Sequence, residues 1–171
     1  MPRLAPRTAL LAALLLAGCQ PKDPLDWKIG AGSPEAFDTW MDRRHRLLPP
    51  DLQQDFDRAF AVVRSDTATH LGTVDPARIN AGLSRRLDGK TIRAVILDAD
   101  DVESDALRTR ISLTIDAIVR NARASESLEN RPAEAQRFAE ARAGQETAIK
   151  AMQARLDEVA AQVHRLSSPT R

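Results

Sequence analysis

An all-α fold, a small helical bundle followed by a long antiparallel helical hairpin, is what this 171-residue sequence predicts. Three observations lead there. Apolar side chains recur at steps of three and four residues. Ser-Pro, Pro-Pro and Asp-Pro pairs stand where such runs begin. Lys90 to Arg131 holds neither glycine nor proline, and strands would need turn punctuation inside such a stretch.

The N-terminus comes first. Arg3 and Arg7, with no acid among them, precede an apolar run from Thr8 to Leu16. A basic start, a short apolar core and small residues make a secretory signal. The run is roughly half the ~20 residues that a membrane span requires. It ends in Leu16-Ala17-Gly18-Cys19, which resembles the lipobox of bacterial lipoproteins. That resemblance implies a lipidation site: diacylglycerol on the Cys19 thiol, cleavage before Cys19, and acylation of the new amino group. One acyl chain holds a protein marginally, whereas two or three anchor it. Cys19 is the sole cysteine, so an exported chain has no internal disulfide and relies on packing. Gln20 follows the lipid site, where aspartate favours inner-membrane retention in well-studied lipoproteins. The expected place is therefore the outer membrane, facing the periplasm.

Removing the signal takes 25 basic residues to 23, against 24 acidic ones. Both signs are interspersed, so no basic field for nucleic acid is expected. Aromatic residues are 4% of the chain and tyrosine is absent, which disfavours stacking grooves for sugars or bases.

Gln20 to Gly32 has two prolines and two glycines and reads as a flexible tether; Trp27 and Ile29 are expected to dock it on the domain, with contact at the membrane interface as the alternative. Ser33-Pro34 caps a first helix on which Phe37, Trp40, Met41, Leu47 and Leu48 recur. Pro49-Pro50 stops it and starts a second, with Leu52, Phe56, Ala59, Phe60 and Val63 as its apolar stripe. Asp75-Pro76 opens a third, carrying Ile79, Leu83 and Leu87 and ending at Asp88-Gly89. Gly89-Lys90-Thr91 has the ending of a phosphate-binding loop. The glycine required five residues earlier is Ser84, so a helix stop at Gly89 and an N-cap at Thr91 are expected instead.

In the next stretch Leu107, Ile111, Ile115, Ile118 and Ala122 form a helical stripe, with a break expected near Asp98 to Asp101. Those acids lack the glycine and ligand spacing of a calcium loop. Asn130-Arg131-Pro132 turns the chain into a last helix, about Ala133 to Leu166. On it Ile149, Met152, Leu156, Val159, Val163 and Leu166 form an a/d seam, with Glu146 and Lys150 spaced as an ion pair. The seam closes either on the Thr91–Ser127 helix of its own chain or on a second copy, as a homo-oligomer. The expected division is 1–18 signal, 19–32 tether, 33–99 helical head, 100–166 hairpin and 167–171 disordered tail.

"SPEAFDTWMDRR", "LPPDLQQDFDRAFAVV" and "LDGKT" followed by Ile92, placed after a lipobox and tether, resemble a family of small uncharacterised bacterial lipoproteins. The match covers roughly Gly30 to Ala99, and the resemblance implies no activity, ligand or site. The residues offer no catalytic set either. His45, His70 and His164 lie far apart, each expected on a solvated helix face, and no nucleophile–base pair or metal spacing is visible. No cofactor or metal is expected. The reading is a non-enzymatic, membrane-anchored helical module for an envelope protein partner; a self-associating envelope spacer is the alternative.

Overall fold

The computed structural model describes residues 23–126 and 131–168. Among them the fold is all-α: α1 Pro34–Arg43, α2 Pro50–Leu71, α3 Pro76–Leu87, α4 Ile92–Glu126 and α5 Pro132–Ser167. Single 3-10 turns stand at Pro24–Asp26 and His45–Leu47. The signal, Cys19 and residues 169–171 lie outside the described residues.

The helix starts form where the sequence places them. The Ser33 hydroxyl accepts from Ala36 N and the Asp75 carboxylate from Ala77 N, each satisfying a donor that the first helical turn leaves free. Thr91 Oγ1 accepts from Ala94 N at the head of α4. Gly89 has φ +72°, a left-handed conformation that suits glycine and lets the chain turn sharply out of α3.

Phe56, Ala59 and Val63 of α2, Leu83 and Leu87 of α3, and Ile92, Val95, Ile96 and Ala99 of α4 share one buried core. Trp40 closes it from α1, its ring centroid 5.5 Å from that of Phe56. Phe37 and Phe60 stack at 5.2 Å on the half-buried edge.

Several expectations need correction. Residues 23–32 are a packed strap rather than a flexible tether: Ile29 and Ala31 are fully buried. The docking expected of Ile29 and of the half-buried Trp27 holds, and it extends to Ala31, while Lys28, Gly30 and Gly32 between and beyond them stay exposed. α1 ends at Arg43, one turn early. Proline at 49 favours an extended Leu48, which has φ −70° and ψ 146°; the chain reaches it through a 3-10 turn. That turn rotates His45 into the core and leaves Leu47 66% exposed.

The break near Asp98 to Asp101 is absent, because α4 runs unbroken through all four residues. One helix therefore runs through both the expected head and the expected hairpin. Ile115 is 46% exposed. The inward positions of distal α4 are Leu107, Ile111, Thr114 and Ile118, the 4-3-4 stepping of a two-helix seam. Thr114 takes the inward place that Ile115 was expected to hold, its hydroxyl donating to Arg110 O at 2.8 Å.

α4 and α5 pack antiparallel. Arg93 meets the Leu166 carbonyl near the base, Glu103 meets Arg155 further out, and Leu113 and Ala117 line one groove with Ala141 and Gly144. The residues of the α5 seam turn toward α4 of the same chain: Val159 is 1% exposed and Leu166 reaches the main core. Glu146 pairs with Arg142 at 2.8 Å, not with Lys150.

Phe56 is fully buried, so Phe56→Ala is expected to cost ~3–5 kcal/mol of unfolding free energy, transfer and cavity terms together. Denaturant titration of both proteins measures it. A loss below about 1 kcal/mol would place the ring outside a tight core.

Candidate functional site

Two regions organise the candidate surfaces: the base, where the strap meets the helices, and the arm formed by distal α4 and α5. At the base, residues 27–31 pair with the α3–α4 turn. Ile29 N donates to Lys90 O at 2.9 Å, Gly89 N to Ile29 O at 3.0 Å and Ile92 N to Trp27 O at 3.1 Å. Ala31 N donates to the Asp88 carboxylate at 2.9 Å, and the Trp40 indole N–H to Lys28 O at 3.1 Å. Buried backbone groups of an irregular segment need such partners, and here the α3–α4 turn supplies most of them.

Arg93 ties the strap to the end of α5. Its guanidinium donates to the Leu166 carbonyl at 2.7 Å and lies 3.3 Å from Asp26 and 3.4 Å from Asp23. A cation suits the negative end of a helix, so one side chain holds strap, α4 and α5 together.

Above the base an ionic lattice joins the helices. Arg58 of α2 reaches Asp100 at 3.2 Å and Glu103 at 3.4 Å on α4, and the Gln162 amide oxygen on α5. Arg155 of α5 grips Glu103 through two bonds, 2.6 and 3.1 Å. Those bonds hold the Arg155 guanidinium more firmly protonated than usual, with Glu158 adding to the effect. On the other side Arg86 of α3 bridges Asp66 at 2.6 Å and Asp98 at 3.1 Å, and Lys90 adds a third contact to Asp98 at 3.0 Å. Lys90, the lysine of the Gly-Lys-Thr stretch, thus serves an ion pair within the fold.

The two central carboxyls respond oppositely. Burial pushes Asp100 above the ordinary aspartate range, with Arg58 opposing and Glu103 reinforcing. Burial acts on Asp98 as well, but hydrogen bonds from Arg86 and Lys90 outweigh it and the carboxyl is held below its ordinary value.

The histidines do not converge. His45 is buried, contrary to expectation, with Nε2 2.8 Å from Asp57 and Nδ1 3.3 Å from Gln53. His70 is exposed and sits 3.2 Å from Asp66, one helical turn away. His164 is exposed on α5. Among the described residues no three His, Cys, Asp or Glu side chains gather as a metal ion would require, and no helix is long and apolar enough to cross a membrane. A cleft of about 320 Å³ opens beside Phe37, Met41, Phe60 and Leu83.

The arm exposes Leu113 by 62%, Ile115 by 46% and Val119 by 43%. By helical phase Leu113 lies on one side of the α4–α5 pair and Ile115 with Val119 on the other. A two-helix layer buries a single seam, so further apolar positions face solvent on both flanks.

No family model, no curated protein and no solved structure matches this chain.

The Asp98 contacts predict an acid-linked stability. A carboxyl with a depressed folded-state pKa contributes stability above its unfolded value, here the ordinary 3.8, and loses it as pH falls through the folded value. Asp98→Asn is expected to cost about 1–2 kcal/mol at pH 7, the scale of hydrogen bonds to a partly exposed charge. The gap to wild type should narrow below pH 3.8, measured by denaturant titration across pH. A gap constant with pH would contradict the role of the Arg86 and Lys90 bonds.

Proposed function

We propose that this chain is a bacterial envelope lipoprotein, akin to the small lipoproteins it resembles, held to the outer membrane by acyl chains on Cys19. It acts without catalysis, as a helical module that presents its arm to an envelope protein partner. The observation that carries the reading is Leu16-Ala17-Gly18-Cys19 behind a basic start and a short apolar run.

The placement of the strap supports it. Cys19 stands four residues before Asp23, where the packed strap begins. Fully extended, that link spans at most about 14 Å, so an acylated Cys19 keeps the base beside the bilayer. The strap contacts Ile92 and Arg93, at the start of a 35-residue α4. A helix of that length extends about 50 Å, carrying the exposed Leu113, Ile115 and Val119 away from the base. Apolar residues displayed on both flanks of a thin arm suit a partner that adds a third helical layer.

The spacer reading shares the anchor and differs in the partner. The seam from Ile149 to Leu166 is turned onto α4, so self-association would use the outward Leu113, Ile115 and Val119 instead.

Mass spectrometry of the N-terminal peptide from the membrane fraction is the test. An acylated Cys19 as the first residue is the expected result. An unmodified soluble protein, or cleavage elsewhere, would overturn the proposal. Crosslinking from position 113 then separates the readings: a different envelope protein supports the module, a second copy the spacer.

A further inference from the structure

We infer that the turn from Arg43 to Leu47 is a second membrane contact, docking the base on an anionic lipid surface beside the acyl anchor. This rests on the anchored reading above, and deepens it by naming the surface that meets the bilayer.

The sequence Arg43-Arg44-His45-Arg46-Leu47 puts three arginines and an apolar tip on the end of α1 and the 3-10 turn that follows it. His45 points inward toward Asp57 and Gln53, and this inward anchor fixes its neighbours outward. Arg43, Arg44 and Arg46 are all exposed, and Leu47 is 66% exposed. Two carboxylates face the turn: Asp42 of α1, paired with Arg46 at 3.0 Å, and Asp57 of α2, 2.8 Å from His45. Three guanidiniums against these two leave the turn with an excess of one positive charge.

An independent contact places the turn at the anchored end. The Arg44 guanidinium lies 5.4 Å from the centroid of the Trp27 ring. Trp27 belongs to the strap, eight residues after Cys19, and its carbonyl accepts from Ile92 N at the start of α4. The basic turn and the base of the arm therefore flank one short strap, far from the exposed apolar residues of the arm.

The chemistry that complements this surface is a phosphate-rich headgroup layer over hydrocarbon. Arginine engages phosphate oxygens through paired N–H groups, and juxtamembrane basic side chains gain from a negative leaflet. Leu47, at the tip, has the length to enter the headgroup–acyl boundary. An acidic protein would match the charge equally well, but the short link holds the turn against the bilayer and leaves it little room. The contact also supplies the second attachment that stable anchoring by few acyl chains favours.

The test uses the chain from residue 19 with Cys19→Ser, which carries no acyl group and begins before the described fold. It is sedimented with vesicles of phosphatidylcholine alone, or with about one-third phosphatidylglycerol. Expected is binding to the anionic vesicles, weakened by salt, and little binding to the neutral ones. Arg43→Glu/Arg46→Glu should lower the anionic-vesicle partition at least about tenfold, and Leu47→Asp severalfold, with circular dichroism unchanged. Arg120→Glu/Arg137→Glu, an equal charge change on exposed positions of the arm, should bind as wild type does. Absence of wild-type binding, or equal losses from the turn and arm variants, would overturn the inference. Because no acyl chain is present, the outcome is independent of whether Cys19 is lipidated in the cell, which mass spectrometry decides separately.

Discussion

The pairing of residues 27–31 with the α3–α4 turn is the constraint on which the rest of the molecule depends. Three backbone hydrogen bonds, two of which form the antiparallel Lys28–Thr91 bridge, lock the strap beside the first residue of α4. Ile29 and Ala31 then enter the core as full members. Arg93 extends the lock to the α5 terminus through the Leu166 carbonyl. The segment that follows the proposed anchor is thus mechanically continuous with both helices of the arm. A flexible tether in its place would leave the arm free to take any angle to a membrane.

The joint between head and arm is polar. Arg58, Asp100, Glu103, Arg155 and Gln162 bring α2, α4 and α5 together where the apolar core thins out. A buried ion pair contributes modest net stability, since desolvation offsets much of the attraction, but losing one partner strands the other. The effect is geometric: a bidentate Arg155–Glu103 grip tolerates little sliding of α5 along α4. Beyond it the arm relies on one narrow seam containing Thr114 and Gln145 among its apolar members. Stiffness at the joint and thinness beyond it suit a projecting element that another protein completes.

Local signals in the sequence were legible where a single mechanism decides the outcome. Ser33-Pro34 and Asp75-Pro76 start helices because a side-chain acceptor and a fixed φ act within one turn. The run Phe56, Ala59 and Val63 is buried because nothing interrupts its phase. Helical phase does not predict His45, because the 3-10 turn after Arg43 rotates the residues that follow and a count across that turn fails. The acids from Asp98 to Asp101 suggest a break because the partners of Asp98 and Asp100 stand outside α4, on Arg86, Lys90 and Arg58. Arg58 lies 42 residues from Asp100, and Arg155 lies 52 from Glu103; the sequence displays the charges without their pairing. Ile115 continues the four-residue steps of Leu107 and Ile111, whereas the 4-3-4 geometry of the seam selects Thr114. Burial of the strap followed from no local periodicity, since it depends on a turn about sixty residues away (57 separate Ala31 from Asp88). Cys19, the one site residue the sequence nominates, lies outside the described residues, so its reading rests on the lipobox.

The proposed anchor implies an orientation, with the base on the bilayer and the arm tip away from it. Depth measurement on the acylated protein in vesicles tests it directly. With Cys19 occupied by lipid and no other cysteine in the chain, a spin label introduced at Arg46→Cys or Arg123→Cys reports one position at a time. Strong relaxation by a lipid-soluble paramagnet is expected at position 46 and none at position 123, about 45 Å along α4 from its base by helical rise. Equal relaxation at both positions, or a stronger effect at 123, would mean that the arm lies along the membrane and would contradict this orientation.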